Sequence, residues 1–347
     1  MLTPATMLTP ATFDTFTDAY AAVLRTIADN PRYVTAGRSK DAWETPNISF
    51  QLTNPLERTP YLAARRANPV FNHAEILWYL AGRDDVGMIG YYAPRLRKLS
   101  TDGQRLTGTA YGPRLFGRTG ADRRSQFERV LDFVVNEAAS KRAVMIVMQP
   151  DELQSLDNPD VACTLGLQLM LRDGHLDMTA YMRGNDAMIG LLGDTFAFTM
   201  IQEFAARLLG VQVGTYTHHV GSMHINTLDV DRVHAMLAEA DAGPPPGPFP
   251  AETMPDNTTW DTLTTVFTVE EMLRTNQTSL TAEQAAALPV PGYWQRVLLL
   301  FETYRQIVHE PGPPVTPEVL DALHPGHRWL LAARWPDRMP ATVSEVR

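Results

Sequence analysis

The residues between Cys163 and His224 form the densest set of side chains that could do chemistry. Cys163 is the only cysteine among the 347 residues, and a thiolate is a strong nucleophile. Arg183, Asn185 and Asp186 follow a predicted strand directly. An arginine such as Arg183 could bind a small anion. Three histidines close the segment: His218, His219 and His224.

Each of these residues also has a simpler structural explanation. A lone cysteine is more often a small buried apolar side chain than a nucleophile. Arg183 and Asp186 could form a structural ion pair, and Asp194 could cap the apolar helix that follows it. The histidines lack a convincing set of partner ligands, so no metal is predicted. Residue types and spacing alone therefore leave catalysis as a hypothesis.

The predicted elements that position these residues are strands interleaved with helices. A hairpin is predicted at Arg172-Asp173-Gly174, Asn72 is expected to cap a helix, and Gly210 is expected to end one. Strands are predicted at residues 48–52, 144–148, 164–171, 175–182 and 213–224. Helices are predicted at residues 14–29, 72–80, 124–139 and 195–209, from about 229, and at 295–309 and 317–323. This mixture favours the α+β class, with a mixed, largely antiparallel sheet packed against helices.

Changes in composition divide the chain into four parts. Residues 1–12 repeat MLTPAT and are expected to be disordered, and residues 13–242 carry the candidate site. The run GPPPGPFP at 243–250 predicts a linker. Residues 251–347 are predicted to form a mainly helical C-terminal extension.

Bulk composition excludes several classes of protein. Hydrophobic residues make up 44% of the chain, enough for a large core, and the formal net charge is -9. An acidic chain is a poor partner for nucleic-acid polymers. No intramolecular disulfide can form from one cysteine, no apolar run is long enough to span a membrane, and no signal pattern opens the chain. A cytoplasmic location is expected.

Several motifs between residues 38 and 232 resemble those of the thymidylate synthase family in order and spacing. Residues 180–194, AYMRGNDAMIGLLGD, resemble the family segment with an Arg-Ser-Cys-Asp core, a later glycine and an Asn. Residues 72–82 resemble its helix with a glutamate before Leu-Leu-Trp. Residues 109–112 resemble its Val-Tyr-Gly motif, 141–142 its Arg-Arg pair and 221–226 its Gly-Asp-x-His-x-Tyr motif.

The resemblance implies a nucleotide site shared between two subunits. Cys163 would add to C6 of a pyrimidine and turn C5 into a nucleophile. Arg183 would bind the 5′-phosphate and lower the thiol pKa, and Arg38 would add a second phosphate contact. Lys141 and Arg142 would reach the phosphate of the neighbouring subunit, which implies a homodimer.

The resemblance also implies the remaining roles. Glu75 would organise water, proton transfers and the folate, and Tyr111 would assist proton removal at C5. Asp186 would contact the folate pterin, and His224 would bind a ribose hydroxyl. The one-carbon donor of the family is 5,10-methylenetetrahydrofolate, and no metal is involved.

Asp194 is the departure that bears on the base, because the synthases have Asn there. An Asn amide suits uracil, whereas a carboxyl accepts a hydrogen bond from cytosine N4–H₂ and, when protonated, also pairs with N3. This change resembles the deoxycytidylate hydroxymethylases. Asp194 is therefore expected both to bind the base and to take part in catalysis.

Further departures bear on the product and the sugar. No Trp lies between Gly82 and Tyr111, where the synthases carry tryptophans, so water is expected to capture the exocyclic methylene and give a hydroxymethyl product. Gly184 and Asn226 replace Ser and Tyr beside the ribose and are expected to favour CMP over dCMP. Thr164 and Gly193 replace His and Phe. The pattern resembles CMP 5-hydroxymethylases of nucleoside-antibiotic pathways such as mildiomycin biosynthesis.

Two other functions are consistent with the sequence. One is a dUMP methylase or hydroxymethylase with an unusual Asp. The other is a non-catalytic nucleotide- or mRNA-binding relative, against which the joint presence of Cys163, Glu75, Tyr111 and Arg183 argues. Residues 343–347 show no counterpart of the short tail with which synthases close over folate.

Overall fold

The computed structural model describes residues 9–36, 40–243 and 249–341. Over these residues the strands are β1 (Ala11–Phe13), β2 (Tyr33–Ala36), β3 (Asp41–Leu52), β4 (Val144–Ile146), β5 (Thr164–Arg172), β6 (His175–Met182), β7 (Asn185–Asp186) and β8 (Gln212–Asn226). The α-helices are α1 (Phe16–Asp29), α2 (Pro69–Leu80), α3 (Val86–Tyr92), α4 (Gly112–Leu115), α5 (Gln126–Asn136), α6 (Gly190–Leu209), α7 (Val230–Ala242), α8 (Trp260–Arg274), α9 (Ala282–Ala286), α10 (Gly292–His309), α11 (Pro317–Asp321) and α12 (Pro325–Arg334). The predicted α+β class is confirmed.

The strands form one mixed sheet in the order β1-β3-β8-β6-β5-β4, with β2 paired to β3 and β7 paired to β8. Four of the pairings are antiparallel: β2–β3, β3–β8, β4–β5 and β5–β6. The pairings β1–β3, β6–β8 and β7–β8 are parallel. The long strand β8 therefore lies at the centre, beside the strands that lead into and out of the candidate site.

The register gives the sheet a buried inner face and a partly exposed outer face. One row across five strands points inward and is fully buried: Met145, Leu167, Ala180, His218 and Phe50. The next row points outward: Ile146, Gly166, Tyr181, His219 and Ser49. Helix α1 packs on the inner face, where the Phe16 and Phe50 rings lie 6.3 Å apart.

The predicted hairpin between β5 and β6 is confirmed. Asp173 and Gly174 both have positive φ, 48° and 78°. Two consecutive positive φ values suit the two-residue turns that match the twist of an antiparallel pair.

Two of the helix starts that differ from the prediction bear on the candidate site. Asn68, rather than Asn72, caps α2 by accepting a hydrogen bond from the Phe71 amide, so Asn72 lies inside the helix. Helix α6 begins at Gly190, five residues before the predicted start at 195. Its two early glycines weaken the helical signal in the sequence. They are tolerated because the side chains of neighbouring residues fill the space beside them.

Strand β3 is much longer than the predicted strand at 48–52. Residues 36–47 read as a polar turn, yet β3 begins at Asp41 and pairs with β8 from Ala42 to Leu52. Asn47 adopts a positive φ of 57° within this strand. Long-range pairing has overridden the local polar composition, as is common in strands.

The last residues of the N-terminal segment 1–12 form part of a strand. Residues 1–8 lie outside the described residues, but Ala11 and Thr12, within the segment expected to be disordered, belong to β1. Strand β1 runs parallel to Phe50–Leu52 of β3, and these backbone hydrogen bonds order it.

The C-terminal segment contains helices α8 to α12 and packs directly on the rest of the chain. Residues 244–248 of the predicted linker lie outside the described residues. Glu203 of α6 accepts hydrogen bonds from both Arg58, at 2.6 Å, and the Met254 amide, at 2.7 Å. Glu270 of α8 accepts a hydrogen bond from Tyr92 of α3 at 2.6 Å. The extension therefore shares a continuous core with the sheet and its helices.

Candidate active site

Cys163 lies immediately before β5, half-buried and next to Arg183. The Arg183 Nη2 atom is 3.7 Å from the Cys163 Sγ atom, and the Arg183 amide donates to the Cys163 carbonyl at 2.9 Å. Burial raises the pKa of the Cys163 thiol, and the Arg183 charge opposes that rise. The guanidinium therefore lies beside the thiol, as the sequence predicted. An anionic ligand bound by Arg183 would also lie next to Cys163.

Arg183 is held in place by carbonyl oxygens at the end of the preceding loop. Its Nε atom donates to the Ala162 carbonyl at 2.8 Å and its Nη2 atom to the Val161 carbonyl at 3.0 Å. The side chain is otherwise exposed. Its orientation is thus set by the backbone, while its charge stays accessible for a phosphate.

Glu75 on α2 approaches α6 at Gly193. A Cβ atom at Gly193 would lie 2.9 Å from the Glu75 Oε2 atom, so a larger residue here would displace the carboxyl. Burial raises the pKa of Glu75 to about 7, while Arg95 and the Tyr79 hydroxyl act in the opposite direction. A carboxyl that titrates near neutral pH can both take up and release a proton.

Tyr111 lies in a stack of aromatic rings behind the cysteine. Its ring is 5.2 Å from that of Tyr79 and 6.2 Å from that of Phe198. Burial, reinforced by the charges of Asp194 and Cys163, raises the pKa of Tyr111 well above its usual value. The phenol therefore stays neutral and can donate a hydrogen bond.

Asp194 is an interior residue of α6, so the alternative that it caps this helix is wrong. Burial raises the pKa of Asp194 well above its usual value, and the charge of Glu75 adds to that rise. Burial therefore favours the protonated form of this carboxyl. Its Oδ2 atom and the Asn185 Oδ1 atom both face Gly190, at 3.3 Å and 2.3 Å from the position of a Cβ atom there.

A buried polar chain continues from Asn185 into the sheet. The Asn185 Nδ2 atom is 3.2 Å from His218 Nε2 and 3.1 Å from Met182 Sδ. The His218 Nδ1 atom is 2.7 Å from the Tyr216 hydroxyl. Burial lowers the pKa of His218 to about 3, so the ring is neutral. The sequence analysis assigned no role to Asn185 or His218, although Asn185 stands where the family motif has Cys.

Asp186 and Asn226 are hydrogen-bonded to each other. The Asn226 Nδ2 atom donates to Asp186 Oδ2 at 2.6 Å. Asp186 Oδ1 accepts from the amides of Met188 and Ile189, at 2.8 Å and 3.1 Å. The two residues predicted to contact the pterin and the ribose therefore form one unit at the start of α6.

His224 and Gly184 lie along the same side of the candidate site. His224 is half-buried in β8 and is paired in register with Glu44 of β3. A Cβ atom at Gly184 would lie 3.5 Å from the Ser222 carbonyl oxygen, which is ordinary van der Waals contact. Gly184 therefore leaves a small space that a serine would fill.

The remaining predicted phosphate ligands are not part of this cluster. Lys141 and Arg142 are exposed before β4, where Arg142 forms a 2.5 Å ion pair with Glu137. Arg38 lies outside the described residues. The structure thus brings together Cys163, Arg183 and the groups around Asp194, and leaves the basic pair on the surface.

A pocket of about 210 Å³ opens beside Gly193. Three arginines are among the residues that line it: Arg65, Arg95 and Arg334. Arg95 lies close enough to Glu75 for its charge to lower the pKa of that carboxyl. Arg334 comes from α12 of the C-terminal extension, so the extension forms one wall of the pocket. No motif in the sequence indicated that Arg65 or Arg334 would lie at this pocket.

Two further properties concern the described residues only. No group of three or more His, Cys, Asp or Glu side chains within them is arranged to hold a metal ion. Nor does any of their helices have the length and apolar character needed to cross a membrane.

Comparison with known proteins identifies relatives by sequence. A thymidylate synthase family model matches residues 18–268, past the predicted linker and into α8. A deoxyuridylate hydroxymethyltransferase of Bacillus phage SP01 is 32% identical over 246 residues, which are 66% of this chain and 63% of that protein. One of Pseudomonas phage M6 is 32% identical over 195 residues, 56% of this chain and 54% of that protein. The chain thus spans less than two thirds of the length of either relative.

A solved structure supports the fold. Thermostable thymidylate synthase A from Bacillus subtilis superposes with a TM-score of 0.54 at 19% identity, covering 64% of this chain and 84% of that one. At this identity the likeness concerns the fold alone.

Proposed function

Because the chain belongs to the thymidylate synthase family, whose members use methylenetetrahydrofolate as co-substrate, we propose that it transfers a one-carbon unit to C5 of a pyrimidine nucleoside monophosphate and leaves a hydroxymethyl group. The observation that carries this proposal is the 3.7 Å approach of Arg183 to the Cys163 thiol, within reach of Glu75, Tyr111 and Asp194. A nucleophile, an anion site, two proton carriers and a polar group for the base are the parts that the reaction needs.

The first step is the addition of the Cys163 sulfur to C6 of the pyrimidine. Burial holds the thiol pKa above its usual value, and the charge of Arg183 opposes this rise. The phosphate of the nucleotide would share Arg183 with the thiolate. Addition of sulfur to C6 places the electron pair on C5, which then attacks the methylene carbon of the folate.

Glu75 and Tyr111 are proposed to move the protons. The proton lost from C5 passes to a base, and Tyr111, neutral and facing the cysteine, can relay it through a hydrogen bond. Glu75, whose pKa lies at about 7, can accept or return a proton at the pH of the cell.

Arg95 supports hydroxymethylation rather than methylation. The stretch between Gly82 and Tyr111 lacks Trp, and its Arg95 lines the pocket next to Glu75. A charged, hydrated wall allows water to add to the exocyclic methylene, with loss of the sulfur from C6, while tetrahydrofolate leaves unoxidised. The two phage relatives are named as hydroxymethyltransferases, which agrees with this product.

The pocket beside Gly193 is proposed to receive the folate. Asp186 would contact the pterin through its carboxylate, and the arginines of the pocket would face the anionic glutamate end. Helix α12 lines this pocket through Arg334, so the C-terminal extension would help to enclose the folate.

We propose that Asp194 makes the site prefer cytosine to uracil. We further propose that CMP is a better substrate than dCMP. A carboxyl accepts a hydrogen bond from N4–H₂, and uracil offers a carbonyl at that position. Gly184 has no side chain to fill the space beside it, and Asn226 is held against Asp186 by a hydrogen bond. Both features leave room for a 2′-hydroxyl on the ribose. The second candidate substrate is deoxyuridylate, because the phage relatives are named for it.

We also propose a homodimer that pairs the outer faces of two sheets. Ile146 is 48% exposed and Leu165 42%, an apolar surface that a partner would cover. Lys141 and Arg142 lie beside this face, before β4, and could reach the phosphate bound by the partner. Arg38 is proposed as a further phosphate ligand.

The test is a competition assay with product identification by mass spectrometry. CMP, dCMP and dUMP are mixed with methylenetetrahydrofolate, and we expect a 5-hydroxymethyl product, formed first from CMP. Tritium release from C5 of each nucleotide reports the chemistry separately. Release from none of them would contradict the proposed transfer, and formation of dihydrofolate, seen by its absorbance, would indicate a methylase instead.

A further inference from the structure

Asp160, three residues before Cys163, joins two segments of the candidate site. The residue is only 3% exposed. Its carboxylate accepts hydrogen bonds from the backbone amides of residues 107–109, at 2.8, 2.9 and 2.8 Å, and from the Thr109 hydroxyl at 2.5 Å. A carboxylate has about four acceptor positions, so these four donors use its full capacity. Asp160 therefore holds the stretch of chain that leads into Tyr111.

The same two segments also touch through their backbones. A Cβ atom at Gly108 would lie 2.1 Å from the Asp160 carbonyl oxygen, a separation that no side chain tolerates. Glycine at this position permits the close approach. The path of the chain at Asp160 therefore sets where residues 107–109 can lie, and Tyr111 follows two residues later.

Cys163 has supports that do not pass through the Asp160 side chain. Its carbonyl accepts a hydrogen bond from the Arg183 amide at 2.9 Å. The amide of the residue before it donates to the buried carboxylate of Glu152 at 2.6 Å. Loss of the Asp160 carboxylate should therefore leave the thiol in place and release the segment that carries Tyr111.

Tyr111 keeps further contacts when Asp160 is changed. Arg114, three residues after Tyr111, forms an ion pair with Glu152 at 2.5 Å. The Tyr111 ring also stays stacked on Tyr79, with 5.2 Å between the ring centroids. A variant at Asp160 should therefore fold and shift the phenol by a small distance. Such a shift matters because displacing a catalytic group by about 1 Å can cost about 10²-fold in rate.

We propose that Asp160 is a positioning residue, which fixes the Tyr111 hydroxyl relative to Cys163 so that Tyr111 can relay the proton that leaves C5. This inference rests on the proposed function for the roles of Tyr111 and Cys163. The step concerned follows the joining of C5 to the methylene carbon. The C5–H bond breaks, and the proton passes by way of the Tyr111 hydroxyl to water. The electron pair of that bond forms the exocyclic double bond as the tetrahydrofolate nitrogen leaves.

The experiment compares two reactions of the full chain, of which only one needs the proton relay. Release of tritium from C5 of CMP, dCMP or dUMP needs it. The 5-fluoro analogues of these nucleotides carry no C5 proton, so with methylenetetrahydrofolate they should stop as a covalent adduct on Cys163, which mass spectrometry detects. The rate of adduct formation therefore reports addition of the thiol and attack by C5 without the later step.

Asp160→Asn replaces one carboxylate oxygen by an NH₂ group, which cannot accept from a backbone amide. We expect the rate of tritium release to fall about 100-fold, with adduct formation within about twofold of the wild-type rate. A general loss of structure would lower both rates together, so their ratio isolates the positioning role.

Asp102→Asn is the matched control. Asp102 accepts hydrogen bonds from the amides of Gln104 and Arg105, at 2.7 and 2.8 Å, and from the Ser100 hydroxyl at 3.0 Å. These donors resemble those of Asp160 in kind, but they belong to a local turn in which Asp102 is exposed. Both rates should keep their wild-type values in this variant.

Thr109→Val covers the case in which Asp160→Asn does not fold. It removes one of the four hydrogen bonds, and tritium release should fall about fivefold while the adduct forms at the wild-type rate. Unchanged tritium release in a folded variant at either position would overturn the positioning role, and so would an equal fall in both rates. A wild-type chain that releases no C5 tritium from any of the three nucleotides would instead overturn the one-carbon transfer, and this inference with it.

Discussion

His218 and His219 are consecutive in β8 and lie on opposite faces of the sheet. On the inner face, His218 is fully buried and lies within hydrogen-bond distance of Asn185 and of the Tyr216 hydroxyl. On the outer face, His219 bonds to Ser49 at 2.6 Å and stacks on Tyr181, beside an exposed apolar surface. In our proposal, the inner face contributes to the reaction through buried polar groups whose pKa values are shifted by burial. The outer face carries ordinary surface residues that serve assembly in our proposal.

The most severe way to break the inner site is to remove the nucleophile. Cys163→Ala should lower kcat by at least about 10³-fold, because no other group can add to C6. C5 tritium release measures this, and nucleotide binding through Arg183 should persist as the control for folding. A variant with full turnover would rule out covalent catalysis.

A change at Asp194 should redirect the inner site without destroying it. In Asp194→Asn, the amide donates to uracil O4 and accepts from N3–H, so the ratio of kcat/KM for dCMP to that for dUMP should fall about 100-fold. Single-substrate kinetics with both nucleotides gives the ratio. If the ratio keeps its wild-type value, Asp194 does not read the base.

A change on the outer face should affect assembly first and chemistry second. Tyr181→Arg places two like charges near the proposed two-fold contact and should dissociate the dimer at micromolar concentration. Light scattering after size exclusion measures the mass. The KM for nucleotide should rise about tenfold, as expected when Lys141 and Arg142 of the partner are lost.

The control for this variant is Leu228→Arg, at a residue 76% exposed and outside the sheet. It should leave both the mass and the KM unchanged. A wild-type chain that is monomeric would disprove the dimer.

The smallest expected effect is on stability at Glu75. Its folded pKa of about 7 lies above the usual 4.5, so the group favours the folded state below pH 4.5, and this contribution is lost as pH rises through 7. The melting temperature of Glu75→Gln minus that of the wild type should therefore be a few degrees larger at pH 8 than at pH 5. Calorimetry at the two pH values tests it; equal shifts at both would show that Glu75 titrates normally.

The sequence predicted the parts of the molecule that depend on local signals. Strand β6 and its hairpin follow from alternation and a Gly-containing turn, and the end of α6 from Gly210. The motifs grouped Cys163, Arg183, Glu75 and Asp194, and these side chains lie near one another in the fold. These are residues whose type and spacing are visible without knowledge of their neighbours.

The parts that depend on long-range contacts were not visible. Strand β3 begins at Asp41 because β8 pairs with it, and no local pattern encodes that partner. His218 was one of three histidines, and only the register shows that it faces inward towards Asn185. The shifted pKa of Asp194 likewise arises from burial, which a sequence does not state.

The buried ion pair between Arg58 and Glu203, which also receives the Met254 amide, has a consequence for how the molecule unfolds. Both charged side chains lie inside a core to which the residues after position 249 contribute. Removing those residues would leave Glu203 without one of its donors and would expose apolar surface of α2 and α6. The chain should therefore melt in a single cooperative transition, and a cut after Gly243 should yield an insoluble product instead of two independent folding units.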